Sequence, residues 1–310
     1  MTILFAAPYV PPAPVVPPSQ LPGIKHTWTG WDGTVWNLSD YRSGVFLMGD
    51  VEGMAMPDIT NYTHSSPVVH GVQWDDWLAT GRKVNWNIGV YTDPSRKPAE
   101  WIELNRAFWR TMRPGTTGVW TIELPTGEKF SLTLRFAAVN APLTRDPSKA
   151  GWQVYGIELL PENPFFDAGT IVGSWVVGRQ IPFYGFRRFG PPFYHSPASQ
   201  LATAKISNTG DVEAYLEWTI VGPSTSAVVG LDGELIRIPF PIERGQRLII
   251  DTDPLNQIAE LDGEDVMERI GFGNWNPAPL PPGEDVQLDL TMTGTGSIEA
   301  RFKRHVLMGI

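Results

Sequence analysis

The sequence predicts a mainly β protein built from two domains, and three observations predict it. From Asn208 to Pro223 the stretch NTGDVEAYLEWTIVGP sets Val212, Ala214, Leu216, Trp218 and Ile220 in unbroken alternation with Glu213, Tyr215, Glu217 and Thr219. A period of two puts the apolar set on one face of an antiparallel sheet and leaves the other face wet. Glycine and proline are abundant, 31 and 29 of 310 residues, which fits many short strands separated by turns. One segment alone reads as a solid helix. A chain of this length can hold two cores, and a hydrophobic content of 42% with 18% charged residues is that of a globular protein.

The elements follow in order. Residues 8–22 are proline-rich and read as an extended, polyproline-like arm. TWTGWDGTVWNL (Thr27 to Leu38) places three tryptophans around an Asp32-Gly33 turn, a strong hairpin signal. PAEWIELNRAFWRTMRPG (Pro98 to Gly115) is the helix. Ser95 or Asp93 is expected to cap it, Glu100 and Glu103 sit near its positive end, Arg110 and Arg113 near its negative end, and Pro114-Gly115 stops it. Trp101, Leu104, Phe108 and Met112 share its core face. TIELPTGEKFSLTLRF (Thr121 to Phe136) is a second hairpin, turning at Pro125, Thr126 and Gly127 with Phe130, Leu132, Leu134 and Phe136 on one face, and GWQVYGIELL (Gly151 to Leu160) is a further strand.

At LLPENPFFDAG (Leu159 to Gly169) a strand ends in prolines and the composition shifts, which predicts a boundary between domains 1–163 and 164–310. Beyond it, strands are expected over NTGDVEAYLEWTIVGP, ELIRIPF (Glu234 to Phe240), QRLIID (Gln246 to Asp251), NQIAEL and DVMERI on either side of Asp262-Gly263, DVQLDLTM (Asp285 to Met292) and SIEARF (Ser297 to Phe302). Strands and turns with no helix signature argue for a β-sandwich.

Composition excludes several chemistries. A formal charge of −9 argues against nucleic acid and against an anionic membrane, both of which need a basic footprint. Zero cysteines exclude disulfides, thiolate zinc sites and a cysteine nucleophile. No apolar run approaches the roughly 20 residues of a membrane-spanning helix. The N-terminus has no Lys or Arg before Lys25 and is a poor secretory signal, so a cytoplasmic origin is expected and the tripeptides at Asn37 and Asn61 are not expected to be glycosylated.

His26, His64, His70, His195 and His305 lack metal-ligand spacing, and DTDPLN (Asp251 to Asn256) departs from a calcium loop at Leu255. The acid pairs Asp75-Asp76 and Glu264-Asp265 point to opposite faces of a strand and cannot flank one bond. No nucleophile elbow or phosphate loop occurs, and GFGN at Gly271 lacks the third glycine of a dinucleotide site. No catalytic, metal or cofactor residue is therefore assigned. IPFYGFRRFGPPFYH (Ile181 to His195) gathers Phe183, Tyr184, Phe186, Arg187, Arg188 and Phe189 in one Pro/Gly loop. Two readings fit: a contact for a partner or a glycan, or a tether packed on its own domain.

Taken in order, WDGTVWNL, the helix EWIELNRAFWRTMRPG before its hairpin, LLPENPFFDAG, ISNTGDVEAYLEWTIVGP and WNPAPLPPGEDVQLDLTMTG resemble the distal tail (minor tail) proteins of long-tailed, siphovirus-type bacteriophages. The resemblance spans nearly the whole chain, and the order of the motifs carries it. It implies an N-terminal β-barrel-like ring domain with one α-helix and a C-terminal galectin-like antiparallel β-sandwich. It also implies a structural, non-enzymatic role in which copies of the chain, six in that family, form a ring joining the tail tube protein to the tail-tip hub of the virion. The alternative is a carbohydrate-binding β-sandwich that recognises host surface glycan, and a β-sandwich glycosidase is a third class.

With a ring in view, Arg106, Trp109, Arg110 and Arg113 become candidate subunit contacts, because the arginines form the stripe beside the helix core face. The bland reading is a solvated stripe with Trp109 half buried in its own sheet.

Overall fold

A computed structural model of the chain describes residues 23–93, 95, 97–142, 145–177, 200–283 and 285–310. The chain divides into two compact units, one ending at Pro164 and one running from Phe165 to Gly309. The fold is mainly antiparallel β, as the alternation indicated.

The N-terminal unit contains β1 (Lys25–Thr29), β2 (Val35–Asn37), β3 (Val45–Leu47), β4 (Asp58–Ser66), β5 (Val69–Gly81), β6 (Val84–Tyr91), α1 (Pro98–Arg110), β7 (Thr117–Glu123), β8 (Lys129–Asn140), the single-turn α2 (Pro147–Ala150) and β9 (Trp152–Pro161). Its sheet runs β2-β1-β7-β8-β9-β6-β3, with every pairing antiparallel. Leu38 draws the two edges together: its N–H donates to His26 O and its carbonyl accepts from Leu47 N–H, both at 2.8 Å. The sheet thereby curls into a barrel-like form. Inside it Trp86 meets Trp28 and Trp120 edge-on, with centroids 5.6 and 5.3 Å apart, and Ile88, Ile122, Leu134, Ile157 and Leu159 complete a dry centre. Such aromatic pairs are worth about 1 kcal/mol each beyond area burial.

Helix α1 rests on this sheet through the expected residues. Trp101, Phe108 and Met112 are buried and Leu104 is half-buried; Phe108 packs edge-on against Trp36, and Trp101 Nε1–H donates to Val90 O at 3.2 Å. The expected cap is not used. Asp93 instead accepts from Ser95 N–H in a local turn, and Lys97 is the N-cap with no side-chain bond, because Pro98 at the first position already fixes the entry angle.

The C-terminal unit contains β10 (Phe166–Val176), β11 (Lys205–Ser207), β12 (Glu217–Val221), β13 (Ser224–Leu231), β14 (Glu234–Ile238), β15 (Arg247–Asp251), β16 (Ile258–Leu261), β17 (Glu264–Asp265), the single-turn α3 (Met267–Ile270), β18 (Asp285–Gln287), β19 (Thr291–Gly294) and β20 (Ser297–Val306). One layer runs β17-β16-β15-β12-β20-β10, and the other is made of β14-β13-β19 and β11-β18. Trp218, Ile220, Leu248, Ile250, Ile298 and Phe302 from the first layer share one core with Val229, Leu231, Ile236, Ile238, Val286 and Leu288 from the second. The unit is an antiparallel β-sandwich.

Four expectations change here. The stretch from Asn208 to Pro223 is not one strand: β12 covers only Glu217–Val221 and Ala214 makes a single bridge to Leu280, although Val212, Ala214 and Leu216 stay buried in alternation. DVMERI is not one strand: after Asp265 the chain turns into α3, with Asp265 Oδ1 accepting from Met267 N–H and the buried Val266 and Ile270 one helical turn apart. DVQLDLTM splits into β18 and β19, which pair with β11 and β13; Val286, Leu288 and Leu290 stay buried in alternation while the partner strand changes. Thr219 leaves the expected wet face, because β12 is an interior strand and the neighbours of Thr219, Ile249 and Glu299, cover it to 3% exposure.

Two distant stretches named for the resemblance meet in the sandwich. Ala214 and Leu280 exchange both backbone hydrogen bonds, at 3.0 and 2.7 Å, and Gly283 N–H donates to Asn208 O. The fully buried Asn208 amide donates to Val212 O and Leu280 O while its oxygen accepts from Gly210 N–H, so the NTGD turn and the PLPPG run are held by one side chain.

Candidate interaction surfaces

The described histidines do not converge. His26 is buried beside Trp120, His64 and His70 lie on the β4–β5 hairpin, His305 is near the end of β20, and His195 falls outside the described residues. Among the described residues no group of three His, Asp or Glu side chains can hold a metal ion, and no helix is long and apolar enough to cross a membrane. The DTDPLN stretch is a strand end and turn in which Asp251 and Asp253 accept backbone N–H bonds from Asp253 and Leu255. The aromatic loop with Phe183, Tyr184, Phe186, Arg187, Arg188 and Phe189 lies outside the described residues, as does the arm at 8–22.

Four surfaces stand out. The first is the β4–β5 hairpin, a two-stranded ribbon that pairs with no other strand among the described residues. Nearly every side chain on it is exposed, including Ile59, Tyr62, Val69 and Leu78, with Val72 at 68% and Trp74 at 59%. Its root is fixed: the buried Arg82 donates to Pro164 O and Gly53 O, each at 2.6 Å, and to Ala55 O. Burial lowers the Arg82 pKa to about 10, against an opposing attraction to Asp58.

The second surface is the outer side of α1. Arg106, Arg110 and Arg113 are all exposed, and Arg106 and Arg110 enter no ion pair among the described residues. Trp109 is not exposed with them: it packs edge-on against Tyr155 and Phe136 of its own sheet, at 5.1 and 6.0 Å. The exposed aromatic of this face is Trp31, which sequence reasoning missed. Its indole N–H donates to Arg110 O at 2.9 Å, and the Arg113 guanidinium sits 5.7 Å from its ring centre.

The third is a cleft of about 350 Å³ on β6, β8 and β9, lined by Asp50, Glu52, Asn85, Asn87, Asn140 and Glu158 among others. The segment before β4 reaches it through Glu52 N–H to Asn85 O and Met48 N–H to Asn87 O. Asn85 Nδ2 donates to Glu52 at 2.5 Å. Asp50 adopts a left-handed backbone, φ 50°, which Asp tolerates better than most residues.

The fourth is a cleft of about 530 Å³ on the solvent side of the sandwich, formed by Glu213, Tyr215, Glu217, Asp251, Arg301 and Lys303 with their neighbours. Arg301 pairs with Glu217 at 2.5 Å on its floor. That contact raises the Arg301 pKa, first through the Glu217 hydrogen bond; burial raises that of Tyr215 and lowers that of His305.

The chain is thus a barrel-like unit followed by an antiparallel β-sandwich, and solved structures share this fold. Solved structures that share it include the crystal structure of the SPP1 Dit protein, a paradigm of the hub adsorption apparatus in phages infecting Gram-positive hosts, and the baseplate of phage P2 in its activated conformation. To SPP1 Dit the TM-score is 0.62 at 12% identity, covering 90% of this chain and 98% of that one. To chains of the P2 baseplate with calcium and with strontium the TM-scores are 0.51 and 0.50 at 14% identity, covering 90% of this chain and 97% of each. No protein-family model matches the chain, and neither does any curated protein. The likeness is one of fold.

Proposed function

We propose that the chain is a structural, non-enzymatic component of a bacteriophage tail tip, assembled in the host cytoplasm, where copies of it, six by the resemblance, form a ring between the tail tube and the hub or baseplate. The observation that carries this reading is the fold itself. The likeness to SPP1 Dit covers 90% of this chain and 98% of that one. The exposed hairpin supports it. An isolated two-stranded ribbon is marginal in water, and a run of exposed apolar side chains along it calls for a partner surface. A hairpin fixed at its root and bare along its length suits a neighbouring subunit, since rotational symmetry lets one arm serve every contact in a ring. Co-expression with the tail tube and hub proteins of the same phage, followed by electron microscopy of the purified complex, tests the reading. A ring lying between the two partners is expected, and a chain that binds neither and stays single contradicts it.

A second reading, in which the sandwich grips glycan, is favoured by the 530 Å³ cleft, where carboxylates, Arg301, Asn256 and the Tyr215 ring face solvent together. Binding on a glycan array that is lost in Tyr215→Ala supports it, and no binding to any glycan removes it.

A further inference from the structure

The N-terminal unit carries two unsatisfied charge clusters of opposite sign on opposite sides of one sheet. Side chains alternate along β6 and β9, so Trp86, Ile88, Tyr155, Ile157 and Leu159 face the core, while Asn85, Asn87 and Glu158 face outward. Helix α1 packs on the core side, with Trp109 against Tyr155. Its arginine stripe therefore points away from the sheet in one direction, and the Asp50, Glu52 and Glu158 cleft opens in the other. None of these three carboxylates forms an ion pair among the described residues.

Arg106 and Arg110 stand four residues apart on the helix, about 6 Å along its axis, and Arg113 follows just past its end. Glu52 and Glu158 flank Asn85 on successive chain segments, through the Glu52 N–H bond to Asn85 and the Asn85–Glu158 pairing. Two inter-strand spacings set those segments about 10 Å apart.

We infer that the α1 face (Arg106, Arg110, Arg113 and Trp31) docks into the Asp50, Glu52 and Glu158 cleft of a second copy of this chain. The inference rests on the ring reading and names its contact. Two different, complementary patches on opposed sides of one subunit make a heterologous, head-to-tail interface, the kind that closes by rotation into a ring. Trp31 supplies the aromatic and the arginines the directional charge that interface centres favour. A protein of net charge −9 repels its own copies at long range, and a basic stripe aimed at an acidic cleft selects one approach.

Charge exchange tests it on the full chain. Arg106→Glu with Arg110→Glu is expected to abolish assembly while leaving thermal unfolding of the single chain unchanged, since both side chains are exposed. Glu52→Arg with Glu158→Arg is expected to do the same. An equimolar mixture of the two variants is expected to recover the wild-type mass, because an alternating ring again sets acid against base at every contact. Assembly of either variant at less than a tenfold higher concentration than wild type overturns the inference, as does a mixture of folded variants that stays unassembled. Loss of tube or hub binding alone, with the ring intact, overturns it too and assigns the stripe to that partner. The ring reading has a separate failure: a wild-type chain that remains single both alone and with its tail neighbours.

Discussion

Acidification from about pH 7 to about pH 5 is expected to destabilise the N-terminal unit by about 2 kcal/mol through His26 alone. The ring is 2% exposed. It stacks on Trp120 with centroids 5.8 Å apart, its Nδ1 accepts from Trp120 Nε1–H at 3.3 Å, and its Nε2 meets no partner. Nothing there stabilises an imidazolium, and burial lowers the pKa from 6.5 to about 4. The unfolded chain consequently takes up a proton as the pH falls through about 6.5 while the native unit does not, so stability is complete above that value and declines toward about pH 4. The whole shift corresponds to about 3 kcal/mol, of which about 2 falls between pH 7 and pH 5, ahead of most carboxylate titration. His305, which burial also shifts downward, belongs to the other unit. The assay must therefore follow the Trp28, Trp86 and Trp120 cluster, by near-ultraviolet circular dichroism during urea unfolding. His26→Phe should remove most of the pH dependence of that transition. Equal slopes in wild type and variant over this range refute the reasoning.

Other outcomes follow from packing. Gly118→Ala should cost about 3 kcal/mol, because a Cβ there meets Trp28 Cζ2 at 2.3 Å and Thr29 O at 2.8 Å, and Trp28 is buried; a loss under 0.5 kcal/mol in chemical unfolding shows that the Trp28 ring has room to shift. Cleavage near Asn163 should release a C-terminal fragment that melts cooperatively, since the sandwich core draws on the unit from Phe165 onward alone; a disordered fragment in circular dichroism contradicts this. Val72→Asp with Trp74→Ser should leave melting within about 0.5 kcal/mol of wild type and weaken assembly. A marked drop in melting temperature instead shows the hairpin packed on its own chain.

Sequence reasoning read best the strands that bury one face. The second hairpin was legible because Phe130, Leu132 and Leu134 enter the core while their neighbours do not. β4 and β5 show no such alternation, because both faces of the ribbon meet solvent; a period of two is a signature of one-sided burial, not of strand geometry itself. Thr219 was misjudged because alternation specifies a face and says nothing about how high the flanking strands stand over it. In DVMERI the spacing of Val266 and Ile270 held a helical signal too short to outweigh the strand pattern that precedes it. Part of the basic surface could be read from the helix period, but its exposed aromatic could not, since Trp31 joins Arg110 and Arg113 only through the β1–β2 turn. The acidic cleft was invisible for the same reason: Asp50, Glu52 and Glu158 come from chain segments that pairing alone brings together.

The central claim, a structural ring at a tail tip, is tested most directly by the mass of the native particle in solution, measured by light scattering for the protein alone and with its tail tube and hub neighbours. The account predicts a closed species near six times the 34.4 kDa chain mass in at least one of these mixtures. A species of one chain mass in all of them contradicts it.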